Sequence, residues 1–420
     1  MPDWDVVVIG AGAAGLLAAT RAAECGRKTL LVEKNKRPGV KILISGGTRC
    51  NLTHACDSRG IVEAYGNQGK FLHSALAALS PRDLVEFVEA EGVLTKTEPT
   101  GKIFPVSDKA TDVLAALLRR LERSGCVLAT QEPVRSIDRA EGLFTITTER
   151  RTLTCASLAI TTGGCSYPGS GTTGDGYAWA ARFGHTIIPA RPALVPITTN
   201  VDWVRDLSGI TIPVVAVTVE LRPPENSTAA KAPKIVPLAS RRGSFLFTHF
   251  GMSGPVALDV SRAITGHPQP ATLDVVCDFL PDVSDAAFDQ TLQDDSRAAG
   301  KRMVPSILPE LLPTRLSEQL LKVAGVPENL RCAELGKAAR ARLVQAFKHC
   351  RIAVSGTLGF KKAEVTAGGI SLAEVDSRTM ESRIVPRLYL AGEVLDLDGP
   401  IGGFNFQAAF STGWLAGKNL

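Results

Sequence analysis

The sequence predicts an α/β fold that starts with a parallel βαβ unit, and three features near its beginning support this prediction. Residues 5–9, Asp-Val-Val-Val-Ile, are apolar on both faces, as in a central strand of a parallel sheet. A Gly-x-Gly-x-x-Gly turn follows and opens an Ala-rich helix over residues 16–25. A second strand, residues 29–33, ends in an acid. Strand, turn, helix and strand in this order are typical of a dinucleotide-binding unit.

Each residue type in this unit has a physical role. Gly10 permits the tight turn, Gly12 lets the backbone approach a pyrophosphate, and Gly15 lets the helix pack closely on the strand. The helix then offers unpaired N–H groups to the phosphates. Glu33 is placed to accept hydrogen bonds from a ribose diol. The motif by itself leaves both NAD and FAD open.

Three further segments favour FAD. Residues 41–51 form a glycine-bearing polar loop, suited to run beside an extended ribityl-pyrophosphate; an ordinary surface loop is the alternative. A β-meander over about residues 127–156 leads to a strand that ends in Thr162-Gly163-Gly164. A Thr-Gly-Gly strand after such a meander is the second cofactor contact of glutathione-reductase-like flavoproteins.

The third segment lies near the carboxyl terminus. A strand at residues 387–391 leads to Gly392-Glu393, then to a glycine-rich loop and a helix of small residues. In the flavoprotein fold an acid after this strand binds the ribityl chain, and the helix points its amino end at the pyrimidine edge of the flavin. A positive helix end stabilises the negative charge of a reduced flavin there.

Several of these motifs carry a family resemblance. They are K-I-L-I-S-G-G-T-R-C-N at 41–51, T-G-G-C-S-Y-P-G-S-G-T-T-G-D-G-Y at 162–177, F-T-H-F-G-M-S-G-P at 247–255, V-T-A-G-G at 365–369 and Y-L-A-G-E-V-L-D-L-D-G-P-I-G-G-F-N at 389–405. Together they resemble the YhiN/BaiN-like family of NAD(P)/FAD-dependent oxidoreductases, part of which is labelled aminoacetone oxidase family. The chain departs from the pattern at Thr48, where the family often has glycine, and at Glu393, where flavoproteins more widely prefer aspartate.

The resemblance implies a discontinuous, glutathione-reductase-like FAD-binding Rossmann domain with inserted β-barrel-like and small helical domains. We predict the FAD domain at residues 1–190 and 355–420. Alternating β-type stretches place the β-rich insertion at residues 191–282. A leucine stripe at helical spacing places the helical insertion at residues 283–354: Leu308, Leu311, Leu312, Leu316, Leu320 and Leu321.

The motifs and the resemblance together predict a non-covalent FAD site. Val134 is assigned to the adenine end. The predicted cofactor-binding residues are Gly10, Gly12, Ala13, Ala14, Gly15, Glu33, Lys34, Lys41, Gly47, Thr48, Arg49, Cys50, Asn51, Val134, Thr162, Gly163, Gly164, Gly392, Glu393, Gly403, Phe404, Asn405 and Phe406.

A second glycine motif, at residues 169–174, raises the question of a dedicated NAD(P)H site. Three residues separate this motif from its strand, and the strand after it ends in no acid. We therefore favour a loop that lines the flavin pocket, with NAD(P)H docking transiently.

Three side chains are candidates for catalysis. His249 could act as a general acid, because imidazole titrates near neutral pH; a hydrogen-bonded structural histidine is the alternative. Arg49 could stabilise developing charge, bind a phosphate or form a structural ion pair. Tyr167 could donate a proton, or its ring could simply pack in a turn. The thiols of Cys50 and Cys165 are expected to be inert.

Composition narrows the function classes. Lys and Arg total 47 against 42 acids, and the basic pairs are scattered, so nucleic acid is disfavoured as a partner. Nine cysteines without a Cys-x-x-Cys indicate free thiols and predict neither a zinc site nor any other metal centre. No apolar run approaches the roughly 18 residues of a membrane span. We expect a cytoplasmic protein with no membrane partner.

These observations predict an FAD-dependent oxidoreductase acting on a small organic molecule, by NAD(P)H-linked reduction of a C=C or related bond. Three alternatives remain open. The first is a flavin oxidase of an amino ketone or amine that uses oxygen. The others are an FAD-dependent RNA-modifying enzyme and a non-catalytic flavoprotein.

Overall fold

The computed structural model describes residues 1–223, 236–308 and 312–420, so Leu311 of the leucine stripe lies outside the described residues. These residues form two compact units. The first joins Met1–Pro192 to Glu364–Leu420, and the second is Ala193–Ala363. The first unit is therefore discontinuous in sequence. The finer division of the insertion into a β-rich and a helical domain stays a prediction.

The strands of the described part of the chain are short, and most belong to two sheets. In chain order they are β1 (Trp4–Ile9), β2 (Thr29–Val32), β3 (Thr53–His54), β4 (Thr95–Thr97), β5 (Lys102–Pro105), β6 (Val127–Ala129), β7 (Val134–Ala140), β8 (Leu143–Thr148), β9 (Thr152–Ile160), β10 (Ile187–Ala193), β11 (Ile197–Thr198), β12 (Thr211–Leu221), β13 (Ala239–Thr248), β14 (Gly251–Ser253), β15 (Leu273–Asp278), β16 (Cys350–Ala353), β17 (Gly356–Thr357), β18 (Val365–Ile370) and β19 (Leu388–Leu390).

The helices of the same residues are given next, in chain order. They are α1 (Ala13–Glu24), α2 (Val40–Thr48), α3 (Ser58–Ala64), α4 (His73–Ala78), α5 (Pro81–Ala90), α6 (Ala110–Arg123), α7 (Asp175–Arg182), α8 (Asp202–Asp206), α9 (Pro255–Thr265), α10 (Asp285–Ala298), α11 (Thr314–Val323), α12 (Lys337–Lys348) and α13 (Phe404–Asn419).

The main sheet of the first unit brings its turns to one edge. Its strand order is β6-β2-β1-β9-β8-β7, and β19 also pairs with β9. The pairs among β6, β2, β1, β9 and β19 are parallel, whereas β7 and β8 form antiparallel pairs. The turns that follow the parallel strands therefore lie at the same edge, where open α/β sheets bind ligands. The first segment of the predicted meander, β6, is instead part of this parallel sheet.

Helices α1 and α13 pack backbone to backbone beside that edge. A Cβ added at Gly413 would lie 2.2 Å from the carbonyl oxygen of Ala14, and one at Gly417 would lie 2.3 Å from that of Ala18. Only glycine permits so close an approach. The amino-terminal and carboxyl-terminal segments of the chain are therefore locked together in one core.

The second unit is built on a seven-stranded sheet in the order β16-β15-β12-β13-β14-β11-β17. Its pairs are antiparallel. The strands share one hydrophobic core with helices α10, α11 and α12, through Phe288, Leu320 and Phe347 among other residues. None of the helices in the described ranges is both long and apolar enough to span a bilayer.

Candidate cofactor site

The three glycines of the turn after β1 have two different roles: two allow close packing, and one leaves space for a ligand. Gly10 has a φ of +101°, and a Cβ there would lie 2.8 Å from the carbonyl oxygen of Thr161. A Cβ at Gly15 would lie 1.8 Å from the carbonyl oxygen of Gly10. Neither position has room for a side chain. At Gly12, in contrast, an added Cβ meets no atom within 4 Å. The space in front of Gly12 is open, as a pyrophosphate cradle requires.

The amino end of α1 also has no side chain that would neutralise its partial positive charge. Gly12 is its N-cap residue, no side chain caps it, and its first turn holds no acid. The N–H groups of a helix's first turn carry partial positive charge and have no partner within the helix. This end of the helix, which includes Ala13 and Ala14, is therefore suited to an anion. The residues present fit a dinucleotide pyrophosphate.

Glu33 joins the glycine turn to the segment that follows β2. Its side chain accepts hydrogen bonds from the backbone N–H of Ala11 and of Asn35, both at 2.8 Å. Glu33 is only 7% exposed. A carboxylate has about four acceptor positions, so two backbone donors leave capacity for a further hydrogen bond. Glu33 shapes the cradle, and its contact with a ribose stays a prediction.

The segment before Val134 runs alongside Glu33. The N–H of Glu33 donates to the carbonyl of Ala129, and the N–H of Glu132 donates back to the carbonyl of Glu33, at 2.8 and 3.0 Å. Val134 begins β7 two residues later. The start of the meander is thereby held beside the predicted ribose end of the site.

The Thr-Gly-Gly segment after β9 lies directly against the first glycine. Thr161 Oγ1 donates to the carbonyls of Ile9 and Gly10, at 2.9 Å each. A Cβ at Gly10 would approach the Cα of Thr162 to 3.0 Å. The Thr162 hydroxyl is buried, and within the described ranges it has no hydrogen-bond partner. This hydroxyl faces α7, since a Cβ added at Gly176 would lie 2.3 Å from it.

The loop that carries the second glycine motif docks on the segment after β2. Lys34 Nζ contacts Thr173 Oγ1 and Asp175 Oδ2, both at 2.6 Å, and Asn35 Nδ2 donates to the carbonyl of Ser170 at 3.0 Å. Asp175 lies in the first turn of α7. A carboxylate at this helix end disfavours a phosphate there. The contacts of Lys34 and Asn35 and the position of Asp175 all agree with the prediction that this segment is a loop beside the cofactor site and not a second nucleotide site.

A cluster that no local motif revealed connects three distant segments. Lys41 Nζ contacts Glu393 Oε2 and Ser166 Oγ, both at 2.6 Å. Ser166 Oγ donates to Glu393 Oε1 at 2.6 Å, and the N–H of Thr366 donates to the same oxygen at 2.9 Å. A Cβ at Gly164 would lie 3.1 Å from that oxygen. Glu393 therefore holds these segments together in addition to its predicted ribityl contact.

Ser166 and Thr366 were absent from the predicted site residues, although both lie in stretches that carry the family resemblance. Thr366 Oγ1 accepts from the N–H groups of Cys165 and Ser166, at 2.8 and 2.9 Å. The motifs V-T-A-G-G and T-G-G-C-S-Y were the signals that could have identified them. Their roles are contacts within the chain, which a motif by itself does not specify.

The polar loop predicted over residues 41–51 is helical in its first part. Helix α2 is broken by non-helical angles at Ser45, Gly46 and Gly47, and Thr48 and Cys50 have φ of 70° and 62°. Positive φ is unusual for a β-branched residue. The predicted loop thus begins only at Ser45. Gly47 and Thr48 are exposed.

Within this loop Arg49 forms an ion pair. Its Nη1 lies 2.6 Å from Glu98 Oε1 and 3.5 Å from Asp108 Oδ1, and its guanidinium lies 3.9 Å from the centre of the Phe104 ring. The hydrogen bond to Glu98 raises the pKa of Arg49. Of the three roles considered for Arg49, these contacts favour the structural one. Burial raises the pKa of the Cys50 thiol to about 12, so this thiol remains protonated at neutral pH.

The amino end of α13 is the other helix end that the sequence predicts at the cofactor. Gly403 is its N-cap residue, without a side-chain cap, and a Cβ there would lie 2.5 Å from the backbone of Thr53. With its amide nitrogen turned toward the carbonyl of Thr53, Asn51 accepts from the N–H of Gly403 at 3.0 Å. Asn405 holds the preceding loop by accepting from the N–H of Gly399 at 2.8 Å.

Aromatic rings surround this helix end. His54, which the sequence analysis did not identify, stacks on Phe404 with ring centres 4.6 Å apart and lies 3.1 Å from the carbonyl of Gly402. Phe406 stacks on Phe410 within the helix, at 5.9 Å. Gly392 closes the site, since a Cβ there would lie 2.7 Å from that of Ala14. The two ends of the chain thus form one edge of the site.

The other two candidates for catalysis lie in different settings. His249 is an exposed residue of the second unit, between β13 and β14, and its ring contacts Phe250 at 4.9 Å. Tyr167 belongs to the first unit, has a φ of 54° and is 39% exposed. Tyr177 is a further tyrosine of the first unit, and burial raises its pKa. Its hydroxyl has no hydrogen-bond partner among the described residues. A catalytic role for His249 or Tyr167 stays a prediction.

Comparison with known proteins extends over the whole chain. The family model described as "HI0933-like protein Rossmann domain" matches residues 4–419. A ribosomal RNA dihydrouridine synthase of Escherichia coli (strain K12) is 34% identical, over 100% of this chain and 98% of that protein. A 3-dehydro-bile acid delta(4,6)-reductase of Clostridium scindens is 30% identical, over 98% of this chain and 97% of that protein. The Mycobacterium smegmatis Sdh1 complex in the apo form has a similar fold, with a TM-score of 0.50, 16% identity and coverage of 99% of this chain and 67% of that one.

Proposed function

We propose, from the premise that this chain belongs to the HI0933-like Rossmann-domain family, that it reduces a carbon–carbon double bond of uracil in ribosomal RNA. Membership of that family makes the chain an FAD-dependent oxidoreductase. The observation that supports the RNA substrate is the end-to-end similarity to a ribosomal RNA dihydrouridine synthase. The scattered basic residues favour a small molecule over nucleic acid, whereas the similarity to this synthase favours the RNA-modifying alternative.

The proposed cofactor site uses the amino ends of α1 and α13. The amino end of α1 and the free space at Gly12 would take the pyrophosphate, and Glu33 the adenosine ribose. The amino end of α13 would face the pyrimidine edge. When bound, FAD supplies the carrier for two electrons that pass from NAD(P)H to the double bond.

The chain's own groups orient and stabilise this assembly. The amino end of α13 offers partial positive charge, which favours the anionic form of a reduced flavin. The Lys41–Glu393 ion pair fixes the segment that follows β19. These groups provide position and electrostatics, which are the protein's contribution to catalysis with a flavin.

Two measurements on the purified protein test the proposal. Anaerobic addition of NADPH or NADH should bleach the yellow absorbance of bound FAD. The reduced protein should then form dihydrouridine in unmodified ribosomal RNA, detected by mass spectrometry of nuclease digests. A protein that takes up no FAD would overturn the cofactor assignment. A reduced flavin that leaves the RNA unchanged would overturn the proposed substrate.

A second candidate function rests on the other curated relative, the bile-acid reductase. Under this alternative the substrate is a steroid with a conjugated carbonyl and the double bond reduced is its C=C bond. The same reduced protein should be offered a 3-oxo-4,6-diene steroid and RNA in separate anaerobic reactions. Reoxidation of the flavin by the steroid alone would favour this second function.

A further inference from the structure

The second unit contains a pocket of about 650 Å³ at the carboxyl end of α10. Small residues line part of it, Ala298 to Gly300 and Ala333. The long side chains at the pocket belong to Lys301, Arg302, Arg331 and Glu334. Three cations therefore face one carboxylate around a space large enough for a ligand.

The structure gives the three cations no ion pair within the described ranges of the chain. Two exposed cations nearby in the sequence are paired: Arg297 lies 3.8 Å from Asp294, and Lys322 lies 3.1 Å from Glu328. Among the described residues, no acid forms an ion pair with Lys301, Arg302 or Arg331, and all three are exposed. Like charges held close together repel each other unless an anion lies between them.

Backbone hydrogen bonds join the two segments that carry these cations. The N–H of Arg302 donates to the carbonyl of Ala299 at 2.7 Å, and the N–H of Cys332 donates to the carbonyl of Arg302 at 2.8 Å. Met303 and Arg331 form an isolated antiparallel bridge. The segment after α10 is thus tied to the segment around residue 332. The backbones of Arg302 and Arg331 are therefore held near each other.

Hydrogen bonds to the helix end do not hold these side chains. The carboxyl end of a helix carries partial negative charge and attracts basic side chains. Side chains that serve this purpose donate to the last carbonyl groups of the helix. Within the described ranges, Lys301, Arg302 and Arg331 donate no side-chain hydrogen bond to any carbonyl of α10. Their charge remains available to an external anion.

We infer that this pocket binds phosphate groups of the RNA substrate, an inference that rests on the proposed function. A guanidinium presents a fork of donors that matches two phosphate oxygens, and Arg302 and Arg331 provide two such forks. Lys301 adds a point charge, and the small residues let a backbone approach. Phosphate contacts position an RNA without selecting its sequence. The pocket anchors the RNA, and nothing in it selects a base.

The test is the binding of a fluorescein-labelled RNA stem-loop of ribosomal sequence to the FAD-loaded protein, without reductant, between 50 and 200 mM salt. The variant Lys301→Gln/Arg302→Gln/Arg331→Gln removes three charges from exposed positions. If each cation contacts one phosphate, the slope of log Kd against log salt should fall by about 2. At 50 mM salt the Kd should rise at least about tenfold. Arg302→Lys/Arg331→Lys should stay within a few-fold of wild type, because charge is retained.

A matched control separates the pocket from net charge. Arg59→Gln/Arg82→Gln/Arg135→Gln removes the same charge from exposed, paired residues of the first unit. It should bind RNA as the wild type does. Equal loss in the control and pocket variants, or wild-type binding by the pocket variant, would overturn the inference. FAD content and melting temperature should be unchanged in every variant.

The assay keeps this inference distinct from the proposed function. A wild type that forms dihydrouridine, together with a pocket variant of unchanged KM for RNA, refutes the pocket and leaves the function. Salt-dependent binding lost only in the pocket variant, without any dihydrouridine in the wild type, refutes the function and supports the pocket. A wild type that binds no RNA refutes both.

Discussion

Gly12 and Gly403 occupy the same position in their helices but meet different surroundings. Each is the N-cap residue of a helix whose amino end has no side-chain cap. A Cβ at Gly12 meets nothing within 4 Å, whereas one at Gly403 would lie 2.5 Å from the backbone of Thr53. The φ of Gly12 is −84°, which any residue adopts, but that of Gly403 is +93°. One glycine leaves space for a ligand, and the other is required by the fold.

The largest expected effect is at the glycine that the fold requires. Gly403→Ala should lower the free energy of unfolding by about 3–5 kcal/mol, because the methyl group enters the space of Thr53 and φ stays positive. Denaturant unfolding of the FAD-free protein measures this change. Gly47→Ala is the control, since its φ is also positive but no atom lies within 4 Å of an added Cβ. Equal losses in the two variants would show that the contact with Thr53 is unimportant.

At Gly12, which faces open space, a substitution should leave stability unchanged and weaken FAD binding. Gly12→Val should keep the unfolding free energy of the FAD-free protein within about 1 kcal/mol of wild type, since nothing opposes the side chain. FAD affinity should fall at least about 100-fold, because the side chain occupies the pyrophosphate's space. Fluorescence titration with FAD measures the affinity. Unchanged FAD content in the purified variant would refute this placement of the cradle.

We expect Glu33 to contribute both to the stability of the fold and to FAD affinity. Its substitution should therefore lower both, each to a smaller degree than the corresponding glycine substitution. Glu33→Gln turns an amide N–H toward a backbone N–H of Ala11 or Asn35, where the carboxylate accepted a hydrogen bond. We expect a loss of about 1–2 kcal/mol in stability and a roughly tenfold weaker FAD affinity. Thermal unfolding with and without FAD separates the two effects. A variant with lower stability but unchanged FAD affinity would restrict Glu33 to shaping the turn.

The smallest expected effect is a gain in stability at Thr48. This residue has a φ of 70° and is exposed, so glycine would adopt the same backbone without strain. Thr48→Gly should raise the unfolding free energy by up to about 1 kcal/mol, the relief of strain exceeding the entropy that glycine adds to the unfolded chain. Chemical denaturation tests this expectation. A less stable variant would mean that the Thr48 hydroxyl holds the loop.

Local features of the site were predictable from the sequence, and long-range contacts were not. The spacing of Gly10, Gly12 and Gly15 identified the turn because each acts within a few residues of its own strand and helix. The ion pair of Lys41 with Glu393 joins residues 352 positions apart, and no local pattern encodes it. For Arg49 the sequence left three roles open: stabilising developing charge, binding a phosphate or forming a structural ion pair such as the one with Glu98. Only the folded chain favours one of them.

By itself, the sequence determined the parallel βαβ unit, the glycine turn, the acid after β2 and the family, because these depend on local backbone conformation and on motifs that lie within short stretches. The tertiary structure decided which of two similar glycines faces open space and which presses on β3. It also decided that Glu393 holds three distant segments together, and that Lys301, Arg302 and Arg331 line one pocket. These features depend on which atoms become neighbours after folding. Steric exclusion and the interaction between charges both depend on the distance between those atoms.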